Sequence, residues 1–223
     1  MRRMTVIAIK AAIFILLAAV LSWVIERKFS SAVNFLCIVG GPLAILPTVL
    51  IARRLLDRRP TKERAQWITT ITHALIMLFY GAAVFKALQT YAEWQVWVIP
   101  VPRDFAYGLV IATGTATFLT VANLALRGLG APFALALSQK LATGWLYTWT
   151  RNQMVLATWS WFVAIGLWLQ SAPFIAWVLF LTAPVEIAYL KIYEERELEI
   201  RFGESYRAYK AKTSFLWPRR QKA

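Results

Sequence analysis

The apolar positions of this chain run in long windows separated by short polar and charged clusters. A helix needs about 20 mainly apolar residues to cross a bilayer, with a range of about 17–25. Six windows have that length: residues 5–25, 32–52, 67–88, 105–126, 152–170 and 174–193. The pattern predicts an all-α, polytopic membrane bundle of about six transmembrane helices. Four N-terminal spans (1–126) precede a helical hairpin with a helical tail (127–223), all in one structural domain. The first window has the charged start of a signal peptide. It is too long for the apolar core of one and lacks a small-residue cleavage site, so it reads as a retained helix. Gly40, Gly41, Pro42 and Pro47 lie inside the second window and predict a kink there. Residues 91–101 are aromatic and apolar but short, which suits a segment at the interface or one dipping partway in.

Composition narrows the class further. Of 223 residues, 59% are hydrophobic and 16% charged, against about 45–50% and about 25% in soluble domains. Disorder is excluded, and with Cys37 as the sole cysteine so is a disulfide scaffold. The net charge of +14 calls for a different explanation. With both termini in the cytoplasm, only Arg27, Lys28, Lys86 and Arg103 fall on the outer side, and the other 21 of the 25 Lys and Arg fall inside. That asymmetry follows the positive-inside rule. Nucleic-acid binding would need a compact basic face on a folded domain, and no segment between the spans is long enough to build one. Trp23, Trp67, Trp94, Trp97, Trp145, Trp149, Trp168 and Trp217 fall at span ends, where an aromatic belt belongs. An Ala- and Arg-rich chain of this kind points to a bacterial inner membrane, with the lipid bilayer as its partner.

His73, the sole histidine, lies inside the third span beside Thr69, Thr70 and Thr72. An ionisable residue there is a functional candidate, and it reads equally well as an interhelical hydrogen-bonding group. One His and one Cys without clustered carboxylates do not supply the four ligands of a zinc site. A Cys37–His73 nucleophile–base pair has nothing in the sequence to bring it together.

Two further clusters carry polar chemistry. From Gly128 to Pro132 and from Lys140 to Val155 the chain links two spans. Arg151, a fork of donors suited to a carboxylate or phosphate, stands just before Asn152 at a helix N-cap position. The bland alternatives are a charge anchor and a simple cap. The second cluster holds Glu194, Glu195, Glu197, Glu199 and Glu204 among basic and aromatic residues. The helix is predicted to run through Phe202 and stop at Gly203. Glu197 pairs favourably with Arg201, and Lys191 with Glu195, which suits a solvated helix. Yet Glu186, Tyr193 and Glu197 share one stripe at about 100° per residue, and glutamates on one face at a membrane boundary imply a polar pocket. The connector 170–173 predicts an antiparallel hairpin, and with it Arg151–Asn152 level with the glutamates. Six of the eight carboxylates on the cytoplasmic side lie between Glu186 and Glu204.

Residues 128–219 resemble the isoprenylcysteine carboxyl methyltransferase family, which is similar to the membrane phospholipid methyltransferases. Gly130 and Pro132 fit its first element loosely. Leu141 and Gly144 fit the next, with Tyr147 shifted by one place, and Arg151–Asn152 match its Arg-Asn motif. Glu194, Glu195, Leu198, Phe202, Gly203, Tyr206, Tyr209 and Pro218 match its tail at full spacing. Two positions depart: Gln153 stands in place of a proline and Val155 in place of a common tyrosine. The resemblance implies a membrane methyltransferase using S-adenosylmethionine in a cytoplasm-facing pocket, acting on a lipophilic or prenylated acceptor that enters from the bilayer. It implies Arg151 and Glu195 as catalytic residues. Leu141, Gly144, Tyr147, Arg151, Asn152, Glu194, Glu195 and Tyr206 are implied as cofactor-binding. No metal is required, because in-line methyl displacement needs chiefly alignment and exclusion of water. Two alternatives stay open: a steroid-reductase-type membrane enzyme using a nicotinamide cofactor, and a non-catalytic scaffold that retains the hairpin.

Overall fold

The computed structural model describes residues 2–128 and 140–219. In chain order its helices are α1 (Arg2–Glu26), α2 (Ser31–Arg58), α3 (Lys62–Thr90), α4 (Arg103–Gly128), α5 (Gln153–Trp168), α6 (Ala172–Phe202) and α7 (Glu204–Lys212). No strand occurs among the described residues, only an isolated bridge between Val98 and Ser171. Five helices, α1 to α4 and α6, contain stretches long and apolar enough to cross a membrane. The sixth predicted window is shorter than expected: α5 has 16 residues. At 1.5 Å per residue that is about 24 Å, against about 30 Å of hydrocarbon. Asn152 falls outside the helix, and Leu169 and Gln170 are spent on the turn that follows.

The chain forms two compact units. The first takes residues 2–92 and 185–201; the second takes 93–128, 140–184 and 202–219.

In the first unit, Ser30 and Thr61 start α2 and α3 by accepting from the backbone N–H of Val33 and Arg64 at 3.5 and 3.3 Å. The predicted disturbance of the second span takes the form of a π turn over Leu36–Gly40, immediately before Pro42, and the helix then runs on to Arg58. Proline removes a backbone donor, and a widened turn is one way to accommodate that loss. Val49 and Leu56 of α2 and Ala65, Ala83 and Ala87 of α3 are fully buried. Ile15 and Leu16 of α1 turn outward, as lipid-facing side chains do. Lys86 is buried at 2% exposure, its ammonium donating to the carbonyl of Arg27 at 2.7 Å and to Gln89 Oε1 at 2.9 Å.

Helices α2 and α3 approach closely at Gly41, where an added Cβ would lie 2.7 Å from the Phe79 carbonyl oxygen and 3.3 Å from Ala83 Cβ. Backbone does not yield there as a flexible side chain would. Gly41→Ala is therefore expected to cost about 1–3 kcal/mol by overpacking, read as a lowered midpoint of unfolding in detergent. An unchanged midpoint would refute the close approach.

In the second unit α4 and α5 run antiparallel. Tyr107 meets Trp168 with ring centroids 6.3 Å apart, and a Cβ on Gly114 would lie 3.0 Å from Trp161 Nε1. Ser171 then starts α6, its hydroxyl accepting from Phe174 N at 3.3 Å, with Gln170 in the left-handed region at φ 55°. Gly166 lets the hairpin close, since a Cβ there would reach Ile175 Cγ1 at 2.5 Å. Residues 95–101 dock on this turn: Ile99 N donates to Gln170 O at 3.1 Å and Gln170 Nε2 to Val101 O at 2.9 Å. Val96, Trp97 and Val98 remain exposed, which fits an interfacial segment better than a spanning one.

Candidate functional site

The last long helix carries the polar groups. As predicted, α6 continues through Phe202 and ends at Gly203, whose φ of 58° suits a residue without a side chain. Within α6 a second π turn, Leu190–Glu194, follows one at Val178–Thr182. Arg53 from α2 donates to the Ile192 carbonyl at 2.7 Å inside it. Arg53 also pairs with Asp57, which takes Arg196 at 2.9 Å.

The even helical wheel puts Glu186, Tyr193 and Glu197 in one stripe; the side chains that meet α3 are Tyr189 and Tyr193, four residues apart. Tyr193 is fully buried and shares a 2.8 Å hydrogen bond with the Thr69 hydroxyl. Tyr189 lies 2.9 Å from His73 Nε2, the rings perpendicular at 5.7 Å between centroids. His73 Nδ1 is 3.0 Å from the Thr69 carbonyl oxygen. Glu197 and Arg201 form a 2.9 Å ion pair with side chains only 3% and 8% exposed. A solvated helix laced with ion pairs is thus the wrong description of this turn, because the pair is buried.

His73 and Tyr193 were legible as polar residues in apolar windows. Thr69 stood out only as a neighbour of His73 and Tyr189 not at all, because a tyrosine or threonine in a span carries little signal until its partner is known. Glu195 is half-buried in the same unit as Glu194.

The remaining predicted site residues belong to the second unit. Leu141 and Gly144 are half-buried in the segment before the 3₁₀ turn Trp145–Thr148. Asn152 does occupy the N-cap position of α5, but its side chain makes no cap; Nδ2 donates instead to the Phe215 carbonyl at 2.8 Å. Thr150 Oγ1 donates to the same carbonyl at 3.2 Å. The Arg151 guanidinium donates to the carbonyls of Lys210, at 2.9 Å, and Thr213, and lies 5.7 Å from the Phe215 ring centroid. Tyr209 donates to the Tyr147 carbonyl at 2.7 Å, and Tyr206, 2% exposed, packs against Tyr209. Burial raises the pKa of the Tyr209 hydroxyl, with Tyr147 adding to the effect and Arg151 opposing it, so the group stays a donor. Residues 147–152 therefore form a strip that pins the tail. Gly130 and Pro132 lie outside the described residues.

Beside this strip two carboxamides are unsatisfied. Gln153, 6% exposed, and Asn123, 3% exposed, have no hydrogen-bond partner for either amide atom among the described residues. Counting along α4 and α5 from the Gly114–Trp161 and Tyr107–Trp168 contacts puts Asn123 level with Gln153. Leaving a buried donor or acceptor unpaired costs about 1–3 kcal/mol, so such a pair marks a place where a polar ligand or water completes the structure.

No family model, no curated protein and no solved structure matches the chain.

Proposed function

We propose that the chain is an integral-membrane methyltransferase, similar to the isoprenylcysteine carboxyl methyltransferases, that passes a methyl group from S-adenosylmethionine to a lipid-soluble or prenylated acceptor. The observation that carries this reading is the unsatisfied Asn123–Gln153 level beside Asn152, where the resemblance places cofactor-binding residues. These carboxamides offer the donors and acceptors that the adenosyl part requires. Gln153, the residue that departs from the family pattern, starts α5 in the place of the proline and adds a donor and an acceptor to it. Further support comes from the tail, where Tyr209 donates to the carbonyl of Tyr147, a residue of a separate motif element, and Arg151 and Asn152 donate to the tail carbonyls of Lys210, Thr213 and Phe215. The resemblance gives Glu194 and Glu195 the role of acceptors for the cofactor's hydroxyls or ammonium. When bound, the cofactor supplies an electrophilic methyl group, and the protein aligns the acceptor and excludes water. In this reading the pocket faces the cytoplasm of a bacterial inner membrane.

The test is incubation of purified protein and native lipid extract with methyl-labelled S-adenosylmethionine, followed by counting the organic phase. Label there, with saturable cofactor binding, is the expected result; no binding by the solubilised protein refutes the reading. Asn152→Ala is expected to weaken binding about three- to tenfold and Glu195→Ala about ten- to a hundredfold, the losses for a neutral and a charged hydrogen bond. Unchanged affinity in both variants would put the pocket elsewhere.

A further inference from the structure

The turn between α2 and α3 carries a concentration of charge that methyl transfer does not use. Residues 53–64 hold six Lys and Arg against two acids. Arg53 and Asp57 are engaged with each other, with the Ile192 carbonyl and with Arg196. Beside them an open groove of about 520 Å³ runs from the turn along the start of α3. Arg59, Thr61, Glu63 and Arg64 form its polar end, and Trp67, Ile68 and Ile71 its apolar end. Arg64, Trp67, Ile68 and Ile71 follow the i, i+3, i+4, i+7 spacing of one helical face. The change from ionic to apolar therefore happens along a single stripe, and Arg64 and Ile71 are about 10 Å apart along the axis.

The guanidiniums are placed for an anion from outside. Arg64 Nε donates to the Leu55 carbonyl at 3.1 Å, which ties the fork to the end of α2 through one nitrogen only. Arg59 is exposed and its side chain makes no ion pair among the described residues. Thr61 Oγ1 already accepts from Arg64 N at 3.3 Å, so the side chains, not the helix end, are the anion-holding groups. Glu63 opposes an anion, which leaves the groove wall one net positive charge. Lys10 of α1 lies over the Trp67 ring, Nζ 5.7 Å from the centroid, and holds the indole at the boundary between the two ends. Ile71 is 49% exposed, on a helix with a stretch long and apolar enough to cross a membrane. We propose that this groove binds an anionic glycerophospholipid, its phosphate on Arg59 and Arg64 and the first part of an acyl chain along Trp67, Ile68 and Ile71. A phospholipid changes from anionic to hydrocarbon over the same short distance as the groove. An acidic peptide matches only the charged end, because its polar backbone would lie unpaired against Ile68 and Ile71. The site lies wholly in the first unit and stands independently of methyl transfer.

The test uses the full chain in phosphatidylcholine nanodiscs. A small fraction of the lipid is phosphatidylglycerol or phosphatidylcholine brominated near the headgroup end of the acyl chains. Bromine quenches an indole only at short range, and the quenching that disappears with Trp67→Phe separates the groove from the other ten tryptophans. Brominated phosphatidylglycerol is expected to occupy the site about fivefold more readily than brominated phosphatidylcholine, the preference given by one net basic group at a membrane surface. Arg59→Gln with Arg64→Gln should bring that preference close to one. Arg54→Gln with Arg58→Gln removes the same charge from the same turn without touching the groove, and should keep most of it. Equal loss in both pairs would reduce the effect to diffuse surface charge and overturn the proposal. So would a Trp67 component that does not favour the anionic lipid. Millimolar glycerol 3-phosphate, which carries the phosphate without acyl chains, is expected not to displace the brominated lipid; displacement would make the groove a site for soluble anions instead.

Discussion

Glu197→Ala is expected to destabilise the folded protein by about 3–5 kcal/mol, the cost of breaking a buried ion pair from one side. Both side chains are almost wholly withdrawn from solvent, at 3% and 8% exposure, and the pair closes at 2.9 Å one helical turn apart on α6. Removing the carboxylate leaves the Arg201 guanidinium buried without the Glu197 charge it pairs with. The double replacement Glu197→Leu with Arg201→Met should recover most of that loss, since an apolar pair of similar volume forgoes both the attraction and the desolvation penalty. Reversible unfolding in detergent, run as a double-mutant cycle, decides the matter. A single-variant cost below about 1 kcal/mol would show that the pair is solvated after all.

Arg151→Ala is expected to release the tail. The guanidinium holds the Lys210 and Thr213 carbonyls at the end of α7, where a cation also complements the helix dipole. Hydrogen bonds to a charged group contribute about 1.5–3 kcal/mol each. Losing two of them should raise the population of the opened tail at least tenfold, read as faster tryptic cleavage after Arg207, Lys210 and Lys212. Arg151→Lys should restore only part of the protection, because both bonds come from Nη1 at the tip of the guanidinium and the shorter lysine side chain carries its nitrogen nearer the backbone. Unchanged cleavage would mean that Asn152, Thr150 and Tyr209 suffice to pin the tail. The same variant separates two roles for Arg151: lost cofactor binding with an intact tail would make it a direct ligand, whereas joint loss would make it a clamp.

Much of the architecture is readable from hydropathy because a bilayer leaves little choice. A backbone in hydrocarbon must satisfy its own hydrogen bonds, so a long apolar window becomes a helix. Windows 5–25, 32–52, 67–88 and 105–126 each fall inside one helix, and the stop at Gly203 follows from the one residue type that takes φ 58° freely. Window 152–170 fails at its ends, since hydropathy does not tell a final helical turn from the residues of a tight connection. The candidate site was legible as residue types and hidden as partners. Arg151 and Asn152 read as an anion site or cap, and in the fold they meet tail carbonyls contributed from about sixty residues further along the chain. Backbone carbonyls are identical at every position, so no sequence pattern points to which ones a guanidinium will find.

Local physics, then, set the helices, because each depends on residues within a turn of one another. The row from Thr69 through His73 to Tyr189, and the burial of Glu197 with Arg201, depended on which face of α6 meets α3, a matter of packing between helices far apart in the chain. The orphaned Asn123 and Gln153 belong to the same category. Each is an ordinary amide in the sequence, and only the antiparallel register of α4 and α5 sets the two level, without a hydrogen-bond partner among the described residues.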